Sequence, residues 1–187
     1  MSGLSDHIAD VVAADSTHCI IMIREGNLTV EAARDALEST LRACDQSIAN
    51  IRQILGNVKS DLNVNKWQQQ RLDEDRRDTS GRHADAIAKA KMASQANKPA
   101  EAQQYQMIAD GFALRLQRVN ECIRETEREE EKLRAALERV QGNLEKAEWE
   151  RARLESEGGA ECQRLAERTS SENSLLQRMA DLISGKR

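Results

Sequence analysis

One proline, Pro99, stands in 187 residues, and aromatic side chains are nearly missing: two Trp, one Tyr and one Phe make up 2% of the chain. Glycine is sparse, at nine residues. So few breakers exclude a loop-rich domain, and so few aromatics exclude a thick core; seams between helices need only Leu, Ile, Val and Ala. The four cysteines, Cys19, Cys44, Cys122 and Cys162, are widely spaced and form no CxxC pair. They read as reduced thiols acting as small hydrophobes in a cytosolic protein. His7, His18 and His83 are scattered, so no metal-ligand cluster is expected. The short apolar run Cys19 to Ile23 follows Asp6, Asp10 and Asp15 rather than basic residues, unlike a secretory signal, and is far too short to span a bilayer. The net charge of −4, with acids and bases interspersed, leaves no basic face and argues against nucleic acid as a partner. There is no Gly-rich phosphate loop and no catalytic constellation. The chain reads as neither an enzyme nor a cofactor protein.

What the sequence does contain is periodic. Steps of three and four run through Leu116, Val119, Ile123, Thr126, Glu130, Leu133, Leu137, Val140, Leu144, Ala147, Arg151 and Leu154. All but Glu130 and Arg151 are apolar or Thr. A two-per-seven repeat held this long is a helix burying one narrow stripe against another helix. The partner lies earlier in the chain. From Val30 a stripe runs through Ala33, Leu37, Leu41, Cys44, Ile48, Ile51, Leu55, Val58 and Leu62. It turns polar at Asn65 and Gln69, then Ala-rich at Ala86, Ala90 and Ala93. Ala96-Asn97-Lys98-Pro99 is the clearest turn, with Pro99 suited to the first turn of a new helix. Folding about Asn97 and Pro99 sets Leu41 near Leu154, Ile48 near Ala147, Leu55 near Val140 and Leu62 near Leu133, with Leu137 and Leu144 on the same seam. Asn65 and Gln69 then meet Thr126 and Glu130, so both arms turn polar at matching heights. The expected fold is all-α: a long antiparallel coiled-coil hairpin over residues 27–157.

Residues 1–24 precede the hairpin as a helix. Leu4, Ile8, Val11 and Val12 fall at helical spacing, with Asp6, Asp10 and Asp15 on much of the rest. Two readings stand: an interfacial membrane helix, or an arm packed on its own protein or a neighbouring subunit. Gly26-Asn27 is the first break and Asp78 to Gly81 the likeliest place for a kink or a further break. Gly158-Gly159 is expected to stop the return arm, leaving residues 160–187 as short helices interrupted at Thr169-Ser170-Ser171. Leu175, Leu176, Met179, Leu182 and Ile183 make the last stripe too apolar for a free tail, so it is expected to lie on the hairpin or another subunit. The acidic cluster Glu127 to Glu131 reads as a solvated helix face.

With this layout in view, the chain resembles the bacterial phage shock protein A family, related to the ESCRT-III superfamily of membrane-remodelling proteins. The resemblance rests on four stretches. The opening Ser5-Asp6-His7-Ile8-Ala9-Asp10-Val11-Val12 is similar to the family's amphipathic start. Ala84 to Met92, with Ala100 to Ala109, is similar to its Ala-rich hairpin tip. The heptad helix to Gly158 has the family's length and position, and Ser174-Leu175-Leu176 to Ile183 resembles its short last helix. The resemblance implies a cytoplasmic protein, peripheral at the inner face of the cell membrane. It implies a homo-oligomer or polymer that binds, stabilises or remodels that membrane in envelope stress. Leu4, Ile8, Val11 and Val12 would then contact lipid, and the last stripe would serve assembly. A soluble coiled-coil adaptor or regulator that binds a protein partner is the alternative.

Overall fold

The computed structural model describes residues 2–25 and 28–183, apart from the side chains of Ser2 and Ile183. The described chain is all-α: α1 (Ser2–Glu25), α2 (Val30–Gln95), α3 (Pro99–Arg153), a π-helical segment (Leu154–Gly158) and α4 (Gly159–Ile183). The predicted break at Gly26-Asn27 lies outside the described residues. Thr29 opens α2: its hydroxyl accepts from the Ala32 N–H at 3.2 Å, and Glu31 places an acid in the first turn. The α2–α3 turn is closed by its own backbone. Asn97 takes a left-handed φ of 58°, the Lys98 N–H donates to the Ala93 carbonyl at 3.0 Å and the Asn97 N–H to the Ser94 carbonyl at 3.2 Å. This is a Schellman cap, with Asn tolerating the conformation that glycine usually supplies. Pro99 follows as the first residue of α3, where its missing N–H costs nothing.

The packing forms two compact units, residues 57–137 and residues 1–56 with 138–187. In the second of these, α1 and the start of α4 share a core with parts of α2 and α3.

In the unit of residues 57–137, α2 and α3 pack antiparallel along a narrow stripe. Val58, Leu62, Asn65, Thr79, Ala86, Ala90 and Ala93 are buried on one side, and Ala109, Val119 and Ile123 on the other. Alanines nearest the turn let the backbones approach closely. The Asn65 side-chain amide donates to the Thr126 carbonyl at 3.2 Å, and Arg115 reaches Asp75 at 2.6 Å. The Asn65 Oδ1 atom is buried without a partner. A polar group at such a position fixes register at a cost in stability. Asn65→Leu is therefore expected to raise the unfolding free energy in urea by about 1 kcal/mol, while the helix pair samples more than one register by disulfide trapping. Around Asp78 to Gly81 the helix does not break. Thr79 is buried and donates to Asp75 at 3.2 Å, so α2 continues unbroken.

The second unit holds the larger core: Ala9, Val12, Cys19, Ile20 and Ile23 of α1, Ala33, Cys44, Ile48 and Ile51 of α2, Val140 and Ala147 of α3, with Leu154 and Cys162. Here α2 again runs antiparallel to α3, with Asp45 bound to Arg151 at 2.8 Å and Arg52 to Glu148 at 2.7 Å.

Two expected breaks near the C-terminus are corrected. Gly158-Gly159 does not stop the helix: Gly159 is right-handed (φ −60°, ψ −45°), and the chain passes through a π-helical turn into α4. A glycine ends a helix only when it turns left-handed. Gly158 instead permits close approach, since a Cβ there would sit 2.6 Å from Leu37 Cδ1. Thr169-Ser170-Ser171 do not interrupt either. The Thr169 hydroxyl bonds back to the Leu165 carbonyl at 2.9 Å, so residues 160–183 lie in one helix rather than several short ones.

Candidate assembly and membrane surfaces

The first helix is held by apolar contact and flanked by charge. Its buried face repeats in steps of three and four through Ser5, Ala9, Val12, Ser16, Cys19 and Ile23. Along one edge a ladder binds it in parallel to α3 and α4. Asp6 accepts from Arg139 at 3.0 Å and from Asn143 at 2.6 Å; Lys146 meets Asp10 at 2.7 Å, Arg153 donates to Thr17 at 2.7 Å, and Arg24 reaches Glu161 at 3.2 Å. The predicted lipid-contacting set therefore divides. Val12 is buried and Ile8 packs against the core, whereas Leu4 (57% exposed) and Val11 (39%) face outward. Val12 is covered while α1 is docked, and Ile8 is half-buried. Ile21 and Met22 are exposed as well, an outward patch that the Leu4–Ile8–Val11 count missed.

The ladder has an electrostatic signature. The Asn143 amide, then Arg139, hold the Asp6 carboxyl below its usual range, and the bond to Asp10 raises the Lys146 ammonium. A depressed carboxyl stabilises the folded state above its unfolded value of about 3.9 and loses that contribution as pH falls through the lower folded value. A raised ammonium contributes below its unfolded value of about 10.4 and loses that contribution as pH climbs through the higher folded one. Docking of α1 is thus strongest between acid and strong base. Carboxyl-carbon NMR should find Asp6 titrating below the other exposed aspartates, and Asn143→Ala should return it toward them.

The seam residues all turn inward to some degree. Ile48, Leu62, Val140 and Leu154 are buried, while Leu41, Leu55, Leu133, Leu137 and Leu144 are half-buried. Asn97 and Pro99 sit in the turn. Of the predicted assembly stripe, Leu175, Leu176, Met179 and Leu182 lie on one arc of α4 and all point to solvent, Leu182 at 81%. The side chain of Ile183 lies outside the described residues.

A groove and an exposed apolar cluster were not singled out in sequence. Between α1 and the start of α2 lies an open groove of about 200 Å³ with Asp15, His18 and Met22 on one wall and Ala36, Ser39, Thr40 and Ala43 on the other. Near the α2–α3 turn, Ile87, Met92, Met107 and Ile108 are exposed. Trp67 and Trp149 are also exposed, stacked by Arg71 at 4.8 Å and Arg153 at 5.4 Å. Burial pushes the Cys44 and Cys162 thiols up, keeping them protonated. The acidic cluster pairs with bases on its own helix, Glu129 with Lys132 at 3.2 Å and Glu130 with Arg134 at 2.7 Å. Among the described residues no three His, Cys, Asp or Glu side chains converge as metal ligands, and no helix is long and apolar enough to cross a membrane. No protein-family model, curated protein or solved structure matches the chain.

Proposed function

We propose that this chain is a non-enzymatic scaffold that assembles with copies of itself and works peripherally at the inner face of the cell membrane. It binds, stabilises or remodels that membrane in envelope stress, using an ESCRT-III-like helical hairpin of the phage shock protein A kind. The observation that carries the reading is the outer end of α4. Four large apolar side chains on one arc, uncovered among the described residues, expose on the order of 400 Å², the size at which an apolar patch marks an interaction site. Lipid contact falls to the outward face of α1, through Leu4, Val11, Ile21 and Met22. A shallow apolar face repeated along a rigid polymer would anchor it to a bilayer without any subunit spanning one.

The test is electron microscopy of the purified chain with and without anionic vesicles. Polymers, with vesicles coated or reshaped, are expected. Leu4→Glu with Val11→Glu should abolish vesicle co-sedimentation yet leave the polymers, because both residues lie outside the core. The ladder that docks α1 favours a second reading, a soluble coiled-coil adaptor, since it covers the apolar face an interfacial helix would use. A monodisperse dimer that ignores vesicles would establish that reading instead.

A further inference from the structure

We infer that the open groove lined by Arg76, Arg77, Ser80, Leu116 and Asn120 binds a phosphate monoester. The site goes beyond the scaffold reading and does not depend on it. All five residues belong to the unit of residues 57–137. Arg76, Arg77 and Ser80 span little more than one turn of α2, and Leu116 and Asn120 are one turn apart on α3. The bond from Arg115 to Asp75, at 2.6 Å, sets the two helices in register at this height. Side chains lean toward the N-terminus of their own helix, so on antiparallel neighbours the arginines and Asn120 lean toward one another.

Three observations carry the assignment. The first is unused donors. Arg76 is held by Asp73 at 3.0 Å, but among the described residues the side chains of Arg77, Ser80 and Asn120 have no hydrogen bond or ion pair. Glu74, one turn before Arg77, is not paired with it either. Asn120 is half-buried, and a polar group withdrawn from water is normally given a partner.

The second is charge. In a chain of net charge −4, this lining holds two guanidiniums and no carboxylate. The grooves at Asp15, at Asp85 and at Glu125 each carry an acid in their walls. Asp73 is already neutralised by Arg76, which leaves Arg77 as the free cation. A guanidinium offers a planar fork of donors that matches phosphate oxygens two at a time. The Ser80 hydroxyl and the Asn120 amide supply donors for the third terminal oxygen of a monoester, which a carboxylate lacks.

The third is size. A volume of about 470 Å³ falls within the roughly 300–1,000 Å³ of small-molecule sites and exceeds what a phosphate group alone fills. Leu116 provides an apolar wall for the organic part of the ester.

Phosphorus NMR of glycerol 3-phosphate and of inorganic phosphate, each titrated with the full chain, tests the site. Saturable line broadening is expected. Arg77→Ala should weaken binding by about tenfold, the worth of a hydrogen bond to a charged group. Arg77→Lys, which keeps the charge and loses the fork, should restore only part of it. Arg118→Ala is the control and should bind as the parent does: it removes the same charge two residues from Asn120, on the opposite side of α3. Arg77 and Arg118 are both exposed, so the melting temperature should not move. Vesicles containing phosphatidic acid, added to the Leu4→Glu, Val11→Glu chain, separate the two sources of such a phosphate. Displacement of glycerol 3-phosphate by them assigns a lipid headgroup, undisturbed binding assigns a free ester, and either upholds the site. No saturable broadening with either probe overturns it, as does a loss in Arg118→Ala equal to that in Arg77→Ala. Both results leave the scaffold reading standing.

Discussion

Ile51→Ala lowers the unfolding free energy by about 2–5 kcal/mol, the range for truncating a fully buried aliphatic side chain where the walls cannot collapse. Ile51 is 0% exposed, in the core that joins α1, α2, α3 and α4. Helices α1, α2 and α3 are also tied to one another by ion pairs. α1 is held by its ladder to α3, and α3 is held to α2 by Arg151–Asp45 and Arg52–Glu148. The cavity therefore persists. Urea unfolding measures the loss, with Leu114→Ala as the control: Leu114 is 60% exposed, and surface substitutions of this kind stay within about 0.5 kcal/mol. Because the core is shared, Ile51→Ala should also loosen α1, seen as faster amide exchange over residues 5–23.

Leu176→Glu with Leu182→Glu behaves in the opposite way. The fold is unaffected and assembly is lost. Both side chains already sit in water in the isolated chain, so the melting temperature should stay where it is. In the proposed assembly each leucine would bury its surface, worth about 1.5–3 kcal/mol apiece. Losing both raises the dissociation constant by roughly two to four orders of magnitude, at about 1.4 kcal/mol per tenfold. Analytical ultracentrifugation reads the change directly. The two variants thus separate core from interface: Ile51→Ala weakens the subunit, and the α4 double variant weakens only its contacts.

The all-α fold and the α2–α3 contacts were legible because both rest on periodicity and turn chemistry. Leu62 and Ile123 take the inward positions that the two-per-seven count assigns. Asn97 and Pro99 close the turn by rules that act within six residues. Packing of α1 on its own protein was one of the two readings of residues 1–24; the face it uses was not read, although its signal was present. Ser5, Ala9, Val12, Ser16, Cys19 and Ile23 form an uninterrupted three-four stripe along the whole helix, whereas the Leu4–Ile8–Val11 line ends at Asp15 and His18. Side-chain size drew attention to the shorter line; small residues mark the face that packs closest. Asp6 and Asp10 read as solvent-facing because Arg139, Asn143 and Lys146 lie more than 130 positions away, on a second face of α3 that the seam does not use. Gly158 was read as a stop because the sequence cannot distinguish a glycine that needs a left-handed φ from one that makes room for Leu37.

The outer end of α4 is the hinge of the account. Its apolar arc is uncovered among the described residues, and on the proposed reading a second copy covers it. Sedimentation velocity of the purified full chain, run from low to high micromolar concentration and repeated with anionic vesicles, tests this most directly. The account predicts species far larger than a dimer, growing with concentration and carried down with the vesicles. A single small species at every concentration, unmoved by lipid, would contradict it.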